Sequence, residues 1–157
     1  ILKCRSLNDQ NICKEYLFSF ANNGIDTNRI QMQGHSPHKE LLATYNELDI
    51  ALDTFPYSGG LTTCEALWMG VPVITMPGCT FASRHSAAHI LNLGLKYLVA
   101  ASREEYKKIA EYWYNNLQKL QELRYNLRNK MAKSSLCDGK SFARDLESFL
   151  EKLKNKN

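Results

Sequence analysis

A glycine loop between a short apolar strand and a helix constrains the fold of this chain more than any other feature. Residues 49–53 have the pattern of a buried strand, and residues 57–60 supply a flexible turn. Residues 61–69 have helical spacing and end at Gly70, and residues 71–76 form a second apolar strand. Strands that alternate with helices of this length are typical of a parallel sheet with helices on its faces. The segment therefore predicts a strand–loop–helix–strand unit.

The same alternation continues through most of the chain. Strands are predicted at residues 1–4, 29–33 and 97–99, and helices at residues 9–22, 36–47 and 83–93. Ser36 is the predicted N-cap of the second of these helices, with Pro37 in its first position. From Ser102 the chain is nearly all helical, with a capping box from Ser102 to Glu105 and a break near residues 134–139. We therefore predict an α/β fold, a doubly wound Rossmann-like parallel sheet in one lobe over residues 1–157, with a helical tail over residues 102–157.

The start of the helix after the glycine loop has the features of an anion site. The backbone N–H groups of Thr62 and Thr63 are predicted to point into the loop, where the positive end of the helix dipole favours a phosphate. Their hydroxyls add donors, and Glu65 can accept hydrogen bonds from the vicinal hydroxyls of a ribose. These residue types together predict a nucleoside diphosphate site.

A plainer reading of the same residues stays open. Gly59 and Gly60 could only turn the chain, while the two threonines cap a helix and Glu65 favours its first turn. The loop matches neither the dinucleotide fingerprint nor the P-loop fingerprint. On spacing alone, the two readings are equally supported.

Three loops are expected to meet at one edge of the sheet. Ligands of such folds lie beyond the carboxyl ends of the strands, which here are followed by residues 34–38, 54–63 and 76–84. In the first loop, the ring of His38 either lies against a flat base or is an exposed first-turn histidine. In the third loop, Arg84 either pairs with phosphate or, as we expect, braces Asp53.

Several nearby residues receive structural roles. His85 and His89 stand four residues apart, a spacing that can chelate a metal, but no third ligand has an evident place, so no metal site is predicted. Leu67 and Trp68 are predicted to pack the helix against the sheet. Cys64 is predicted to be a small buried residue and not a nucleophile.

A long run at residues 62–72 carries a specific resemblance to a known family. It reads Thr-Thr-Cys-Glu-Ala-Leu-Trp-Met-Gly-Val-Pro, and residues 48–57 add Leu-Asp-Ile-Ala-Leu-Asp-Thr-Phe-Pro-Tyr. Shorter matches lie at residues 2–6, 36–38, 82–84, 136–138 and 142–143. Along essentially its whole length the chain resembles the C-terminal part of the catalytic region of the O-linked N-acetylglucosamine transferase family, in its bacterial, tetratricopeptide-repeat-associated form.

The resemblance implies a fold and a set of site residues. It implies a GT-B-type glycosyltransferase with two nucleotide-fold lobes that clasp a sugar nucleotide, of which this chain is the C-terminal lobe. By the same resemblance, the uridine contacts are Ser36, Pro37 and His38, the diphosphate contacts are Gly60, Thr62 and Thr63, and the ribose partner is Glu65. Leu61 departs from relatives that have a polar residue at this position, so one side-chain contact to phosphate is missing here.

The resemblance also implies an activity for the parent protein. The expected reaction is inverting transfer of a sugar, N-acetylglucosamine, from a UDP-sugar to Ser or Thr of a protein. The family's lysine lies before residue 1 and its other catalytic groups lie in the other lobe, so no catalytic residue is expected here and the chain alone is expected to be inactive. No metal or other cofactor is expected, because donors at the helix start and that lysine hold the charge of the leaving diphosphate. The expected partners are the UDP-sugar, the protein acceptor, the N-terminal lobe and tetratricopeptide repeats.

Composition is consistent with one compact domain and argues against several functional classes. The chain has 157 residues, of which 44% are hydrophobic, and a net charge of +4 spread over helix faces, so no nucleic-acid partner is predicted. Five scattered cysteines without a Cys-x-x-Cys pair predict free thiols. No membrane partner is predicted because no apolar run has membrane-spanning length, and with no signal peptide visible we expect a cytoplasmic location. Because residue 1 is Ile, we expect the chain to be part of a longer polypeptide.

Two other functions stay open on the sequence. The parent could be a binding or scaffolding protein whose transferase lobe has become a non-catalytic interaction domain, although the intact set of Thr62, Thr63 and Glu65 argues against degeneration. It could also be another nucleotide-sugar enzyme, such as an epimerase, because fold alone does not fix function. Helical repeats of about 34 residues and the family's lysine in the upstream sequence would separate the transferase from the scaffold.

Overall fold

The computed structural model describes residues 1–154 and divides into two compact units. The first unit is Ile1–Thr44, and the second begins at Tyr45. Each unit is built from short parallel strands and helices that alternate along the chain.

The first unit contains one pair of strands and two helices. Its elements are β1 (Leu2–Lys3), α1 (Gln10–Asn22), β2 (Met32–Gln33) and α2 (His38–Thr44). The strands are parallel, with Leu2 opposite Met32 and Lys3 opposite Gln33. Asp9 caps α1 by accepting a hydrogen bond from the N–H of Asn11 at 2.8 Å, and Gly24 follows the helix with φ +74°. The predicted strands and the predicted helix at residues 9–22 are confirmed.

The second unit contains a second pair of strands and five helices among its described residues. Its elements are β3 (Ala51–Leu52), α3 (Leu61–Trp68), β4 (Val73–Ile74), α4 (His85–Asn92), α5 (Arg103–Asn115), α6 (Leu117–Ala132) and α7 (Gly139–Lys154). The strands β3 and β4 are parallel, with Ala51 opposite Val73 and Leu52 opposite Ile74. The predicted strand–loop–helix–strand unit is therefore confirmed, and so is the parallel α/β order of the fold.

The core of the second unit lies where α3, β4 and α4 meet the helical tail. Its members are apolar and almost fully shielded from solvent, and they include Leu67, Val71, Ile74, Ile90, Leu95, Leu98, Leu120 and Leu127. Gly70, with φ +79°, ends α3 and lets the chain enter β4, and an added Cβ there would lie 3.1 Å from the carbonyl oxygen of Arg124 in α6. The close approach of α6 to this turn shows that the helical tail is part of the same packed unit.

Three details differ from the sequence prediction. The predicted strand at residues 97–99 is wrong for its first two residues, because Lys96–Leu98 is a 3₁₀ turn and only Val99 forms a bridge, to Thr75. The tail also breaks at Asn116, between α5 and α6, which the sequence analysis missed. Ser36 does not cap α2, because its Oγ is buried and has no hydrogen-bond partner among residues 1–154.

Two side-chain predictions are corrected in part. In the capping box, the Ser102 hydroxyl accepts from the Glu105 N–H at 3.1 Å as predicted, but the Glu105 carboxylate accepts from Ala101 instead of Ser102. Leu67 packs in the core as predicted, whereas Trp68 is 41% exposed and its ring lies 5.0 Å from the guanidinium of Arg128. Trp68 therefore contacts a cation on α6 and does not pack against the sheet.

Candidate functional site

Asp53 fixes the geometry of the glycine loop from the end of β3. One of its carboxylate oxygens accepts a hydrogen bond from the Gly59 N–H at 2.8 Å, and the other accepts from the Thr75 hydroxyl at 2.7 Å. Its backbone carbonyl accepts from the Tyr106 hydroxyl at 2.8 Å. A carboxylate that receives hydrogen bonds on both oxygens has little freedom to rotate, so the loop and the ends of both strands are held together.

Ser58 joins the loop after β3 to the loop after β4. Its side chain is buried, its Oγ donates to the Ala82 carbonyl at 3.0 Å, and it accepts from the His85 N–H at 3.0 Å. Its backbone N–H also donates to the Ala82 carbonyl at 3.0 Å. The predicted convergence is therefore confirmed for the loops at residues 54–63 and 76–84.

The hydroxyl of Thr63 faces inward. Thr63 is 3% exposed, and its Oγ1 lies 2.7 Å from the Ser86 Oγ and 3.1 Å from the Gly59 carbonyl oxygen. The Ser86 hydroxyl also donates to the Gly59 carbonyl, at 2.8 Å. This buried polar pair is satisfied internally, so the Thr63 hydroxyl supports the loop, and its contact to a phosphate stays a prediction.

The start of α3 presents a different set of groups. The Thr63 N–H donates to the Gly60 carbonyl at 3.2 Å, so it is already engaged in the first turn of the helix. The N–H groups of Leu61 and Thr62 have no acceptor among the described residues, and the side chain of Thr62 is exposed. An ideal Cβ on Gly60 would meet no atom of the described chain within 4 Å. Open space beside free N–H groups at a helix start is where an anion is favoured.

Tyr45 is hydrogen bonded to the first turn of α3. Its hydroxyl donates to the Thr62 carbonyl at 3.1 Å. Burial, together with the negative charge of Glu65, raises the pKa of Tyr45 to about 12. Glu65 therefore lies within electrostatic reach of Tyr45 on the first turns of α3, next to the exposed Thr62. A small cleft of about 110 Å³ runs between Tyr45, Thr62 and the end of β3.

Ser36, Pro37 and His38 belong to the first unit. His38 is the first residue of α2 and is exposed, as is Pro37, while Ser36 is partly buried. The loop before them is fixed by Asn8, whose side-chain oxygen accepts from the His35 N–H at 3.0 Å. Their contacts to uridine stay a prediction, as do the nucleotide contacts of Gly60, Thr62, Thr63 and Glu65.

A second cleft opens at the carboxyl ends of β3 and β4. It has a volume of about 320 Å³ and is lined by Asp53, Phe55, Met76, Arg103 and Tyr106. Burial, with a smaller contribution from the charge of Asp53, raises the pKa of Tyr106 to about 12, so its phenol is a neutral hydrogen-bond donor at physiological pH. The cleft places one cation and one phenol beside the glycine loop.

Arg84 does not brace Asp53 as expected. Among the described residues no ion pair joins the two, and the carboxylate is held instead by Gly59 and Thr75. Arg84 is exposed at the N-terminus of α4. The prediction was wrong because it paired the two residues by charge alone. In the structure the carboxylate oxygens of Asp53 accept hydrogen bonds from the Thr75 hydroxyl and the Gly59 N–H.

The sequence analysis gave no role to three residues that hold the loop. Ser58, Thr75 and Ser86 are buried and hydrogen bonded around Gly59 and Asp53. Thr75 carried a readable signal, because it is a polar residue inside the apolar run from Val71 to Met76. Ser58 and Ser86 carried none, because serine is common in turns and at helix starts.

Metal ligands and membrane spans were also sought among residues 1–154. These residues contain no group of three or more His, Cys, Asp or Glu side chains placed to hold a metal ion. Burial and the neighbouring His85 both lower the pKa of His89. None of the described helices is both long and apolar enough to cross a membrane.

Comparisons with known proteins identify similar sequences and a similar structure. A family model described as "Glycosyl transferase family 41" matches residues 9–146. A protein of Oryza sativa subsp. japonica named "Probable UDP-N-acetylglucosamine--peptide N-acetylglucosaminyltransferase SPINDLY" is 41% identical over 150 residues, which are 94% of this chain and 16% of that protein. The "UDP-N-acetylglucosamine--peptide N-acetylglucosaminyltransferase" of Caenorhabditis elegans is 32% identical over 127 residues, 81% of this chain and 11% of that protein.

A solved structure, a mutant O-GlcNAc transferase of Thermobaculum terrenum, superposes with a TM-score of 0.87 and 38% sequence identity. The match covers 93% of this chain and 28% of that one. The chain thus spans about one sixth of the length of the plant relatives it matches, with 16% of their residues aligned.

Proposed function

The chain belongs to glycosyl transferase family 41, with the α/β fold of the C-terminal lobe of a GT-B-type transferase, and from this membership we propose that it binds the UDP part of a UDP-sugar. The parent protein would transfer the sugar, N-acetylglucosamine, with inversion to Ser or Thr of a protein. The observation that carries the proposal is the start of α3, where Leu61 and Thr62 offer free N–H groups beside the open side of Gly60.

The proposed task of this lobe is to bind the nucleotide and stabilise the leaving diphosphate. Donors that are fixed before the reaction stabilise developing negative charge without having to reorganise. The Thr62 N–H and hydroxyl and the open side of Gly60 would receive the diphosphate. The Thr63 N–H would be a further contact, shared with the Gly60 carbonyl to which it donates at 3.2 Å. Asp53, Thr75 and Ser86 keep the loop in place through hydrogen bonds of 2.7–2.8 Å.

The remaining nucleotide contacts follow from the family resemblance. Glu65 would accept hydrogen bonds from the ribose hydroxyls. His38 would pack on uracil, while the backbone at Ser36 and Pro37 reads the edge of the base.

The parent would add an N-terminal lobe and tetratricopeptide repeats that present the acceptor, and no metal is part of this proposal. All five cysteines are free thiols, which supports a cytoplasmic location.

Calorimetric titration of the chain with UDP tests the proposal, with ADP as the matched control for the base. We expect UDP to bind and ADP to bind at least about tenfold more weakly, a difference of about 1.4 kcal/mol. Glu65→Ala should weaken UDP binding because the ribose loses its acceptor. Glu47→Ala, a change at an exposed glutamate elsewhere in the second unit, should leave it unchanged.

A longer polypeptide that includes the upstream lobe tests the activity. We expect transfer to a protein acceptor from that polypeptide and none from the 157-residue chain alone, because the chain contains no proposed catalytic residue. UDP binding without transfer by the longer polypeptide would favour the non-catalytic scaffold. If neither polypeptide binds UDP, the nucleotide-site proposal is wrong.

A further inference from the structure

An aromatic cleft in the second unit is lined by residues that the proposed nucleotide site does not use. It has a volume of about 410 Å³ and lies between α5 and the 3₁₀ turn Lys96–Leu98. Its lining residues are Tyr97, Lys108, Ile109, Tyr112 and Trp113. Four of these five side chains are aromatic or aliphatic, so the cleft offers mainly apolar surface with one charged group.

The rings of the cleft form a fixed platform. Trp113 is 7% exposed and forms the base, with the Tyr112 ring 5.3 Å away edge-on and the Tyr97 ring 5.8 Å away at a tilt of 42°. Tyr97 and Tyr112 are 52% and 45% exposed, so each keeps about half of its surface available. Aromatic side chains lose little conformational entropy on binding, which makes such platforms good anchor sites.

The charged side chains that line the cleft or contact its rings are two lysines. Lys108 is the only charged residue that lines the cleft among the described residues. Lys119 lies over the Tyr112 ring, 5.6 Å from its centroid, and donates to the Tyr112 hydroxyl at 3.1 Å. None of the acids of α5 lines the cleft: Glu105 accepts from Ala101, and Glu111 lies 3.8 Å from Lys107.

We propose that this cleft binds a segment of a partner polypeptide in which a bulky apolar side chain stands next to a carboxylate. The apolar side chain would rest on Trp113 between the two tyrosines, and the carboxylate would pair with Lys108. A polypeptide fits better than a small molecule because the walls are half exposed, whereas pockets for small ligands bury most of the ligand surface. An anchor side chain leaves the rest of its chain free to run across the surface.

Fluorescence anisotropy of a short labelled peptide tests this proposal on the full chain. The probe contains phenylalanine next to glutamate in a glycine background, and its two controls replace phenylalanine by alanine or glutamate by glutamine. We expect the probe to bind at least about tenfold more tightly than either control. Equal binding of the probe and the alanine peptide would overturn the proposal.

Two adjacent lysines provide a matched pair of variants. Lys108→Glu should weaken binding of the probe at least about tenfold, because the carboxylate then meets a like charge. Lys107→Glu makes the same change in net charge outside the cleft and should leave binding unchanged. Equal weakening by both variants would show nonspecific attraction and overturn the proposal. Thermal unfolding by circular dichroism checks that both variants fold, and Lys108→Met supplies a milder change with the same expected direction.

A small aromatic acid distinguishes the source of the ligand. The compound 3-phenylpropionate carries the same ring and carboxylate without a polypeptide chain. We expect it to compete for the cleft at least about tenfold more weakly than the probe, because it makes no contact beyond the anchor. Affinity equal to that of the probe would make the cleft a small-molecule pocket and overturn the polypeptide assignment. UDP should not displace the probe, so this test and that of the nucleotide site can fail separately.

Discussion

Gly59 and Gly60 are neighbours in the loop, but only one of them is required for packing. An ideal Cβ on Gly59 would lie 2.6 Å from the Thr63 Oγ1, 2.9 Å from the Thr62 Oγ1 and 3.5 Å from an Asp53 oxygen. An ideal Cβ on Gly60 would meet nothing within 4 Å among the described residues. The first glycine therefore lets the loop lie against α3, and the second leaves space for whatever approaches the helix start.

The two alanine variants should separate stability from binding. Gly59→Ala should lower the free energy of unfolding by about 1–3 kcal/mol, because Thr63 is buried and cannot move aside without breaking its bond to Ser86. Gly60→Ala should change the free energy of unfolding by about 0.5 kcal/mol or less but weaken UDP binding, since its methyl group occupies the proposed phosphate space. Urea denaturation and calorimetry measure the two effects. Equal losses of stability would contradict this division of roles.

Two half-buried phenols should make the chain sensitive to high pH. The pKa values of Tyr45 and Tyr106 are raised from 10 to about 12 in the folded chain. Their contribution to stability is complete below pH 10 and is lost as the pH rises from 10 to 12, because the unfolded chain releases these protons first. We expect the free energy of unfolding to fall over this range, and to fall less steeply in Tyr106→Phe.

Tyr125→Phe is the matched control for the pH experiment, because Tyr125 is 84% exposed. Denaturation in urea at several pH values between 9 and 12 gives the slope for each protein. A slope in Tyr106→Phe as steep as that of the unchanged chain would argue against a protected phenol at this position.

At the scale of elements, α6 connects the tail to the rest of the second unit. Leu120, Leu127 and Met131 are buried along one face, and beside them Arg124 pairs with Asp49 and Arg128 donates to the Trp68 carbonyl at 2.9 Å. The arginine contacts are exposed and contribute little, whereas the leucines remove apolar surface from water. Packing by the buried face is therefore the main reason why α6 docks.

Two leucines of this helix provide the corresponding prediction. Leu127→Ala should lower the free energy of unfolding by about 2–5 kcal/mol, because Leu127 is 0% exposed and its loss leaves a cavity. Leu117→Ala, the same change at a 60% exposed position near the helix start, should cost about 0.5 kcal/mol or less. Urea denaturation measures both. A loss below about 1 kcal/mol for Leu127→Ala would mean that the tail is not part of the core.

The sequence was most informative about elements with strong local signals. Asp9, Gly70 and Ser102 mark helix ends that depend on neighbouring residues, and the structure has helix ends next to each. The partners of Asp53 could not be predicted in this way, because Thr75 is distant in sequence and reaches the carboxylate only once β3 and β4 pair. Trp68 was misplaced for a related reason, since its contact with Arg128 spans 60 residues.

At the scale of the whole molecule, the two units differ in how much apolar surface they bury. Leu7 is the only buried apolar residue described within Ile1–Thr44, and α1 contains no buried residue. The second unit holds a contiguous core that includes Leu67, Ile74 and Ile90. Because burial of apolar surface is the main favourable term in folding, the first unit taken by itself has much less to stabilise it.

Hydrogen exchange of the 157-residue chain should therefore show two levels of protection. Backbone amides of α1 should exchange through local opening, whereas those of α3 and α4 should exchange only when the second unit unfolds as a whole. Mass spectrometry of peptic fragments resolves the two levels, and Leu127→Ala supplies the control, because it should speed exchange in α3 and α4 while leaving α1 unchanged. Equal protection of α1 and α3 would mean that the chain unfolds as one cooperative body, and the burial within each unit would then not determine how it opens.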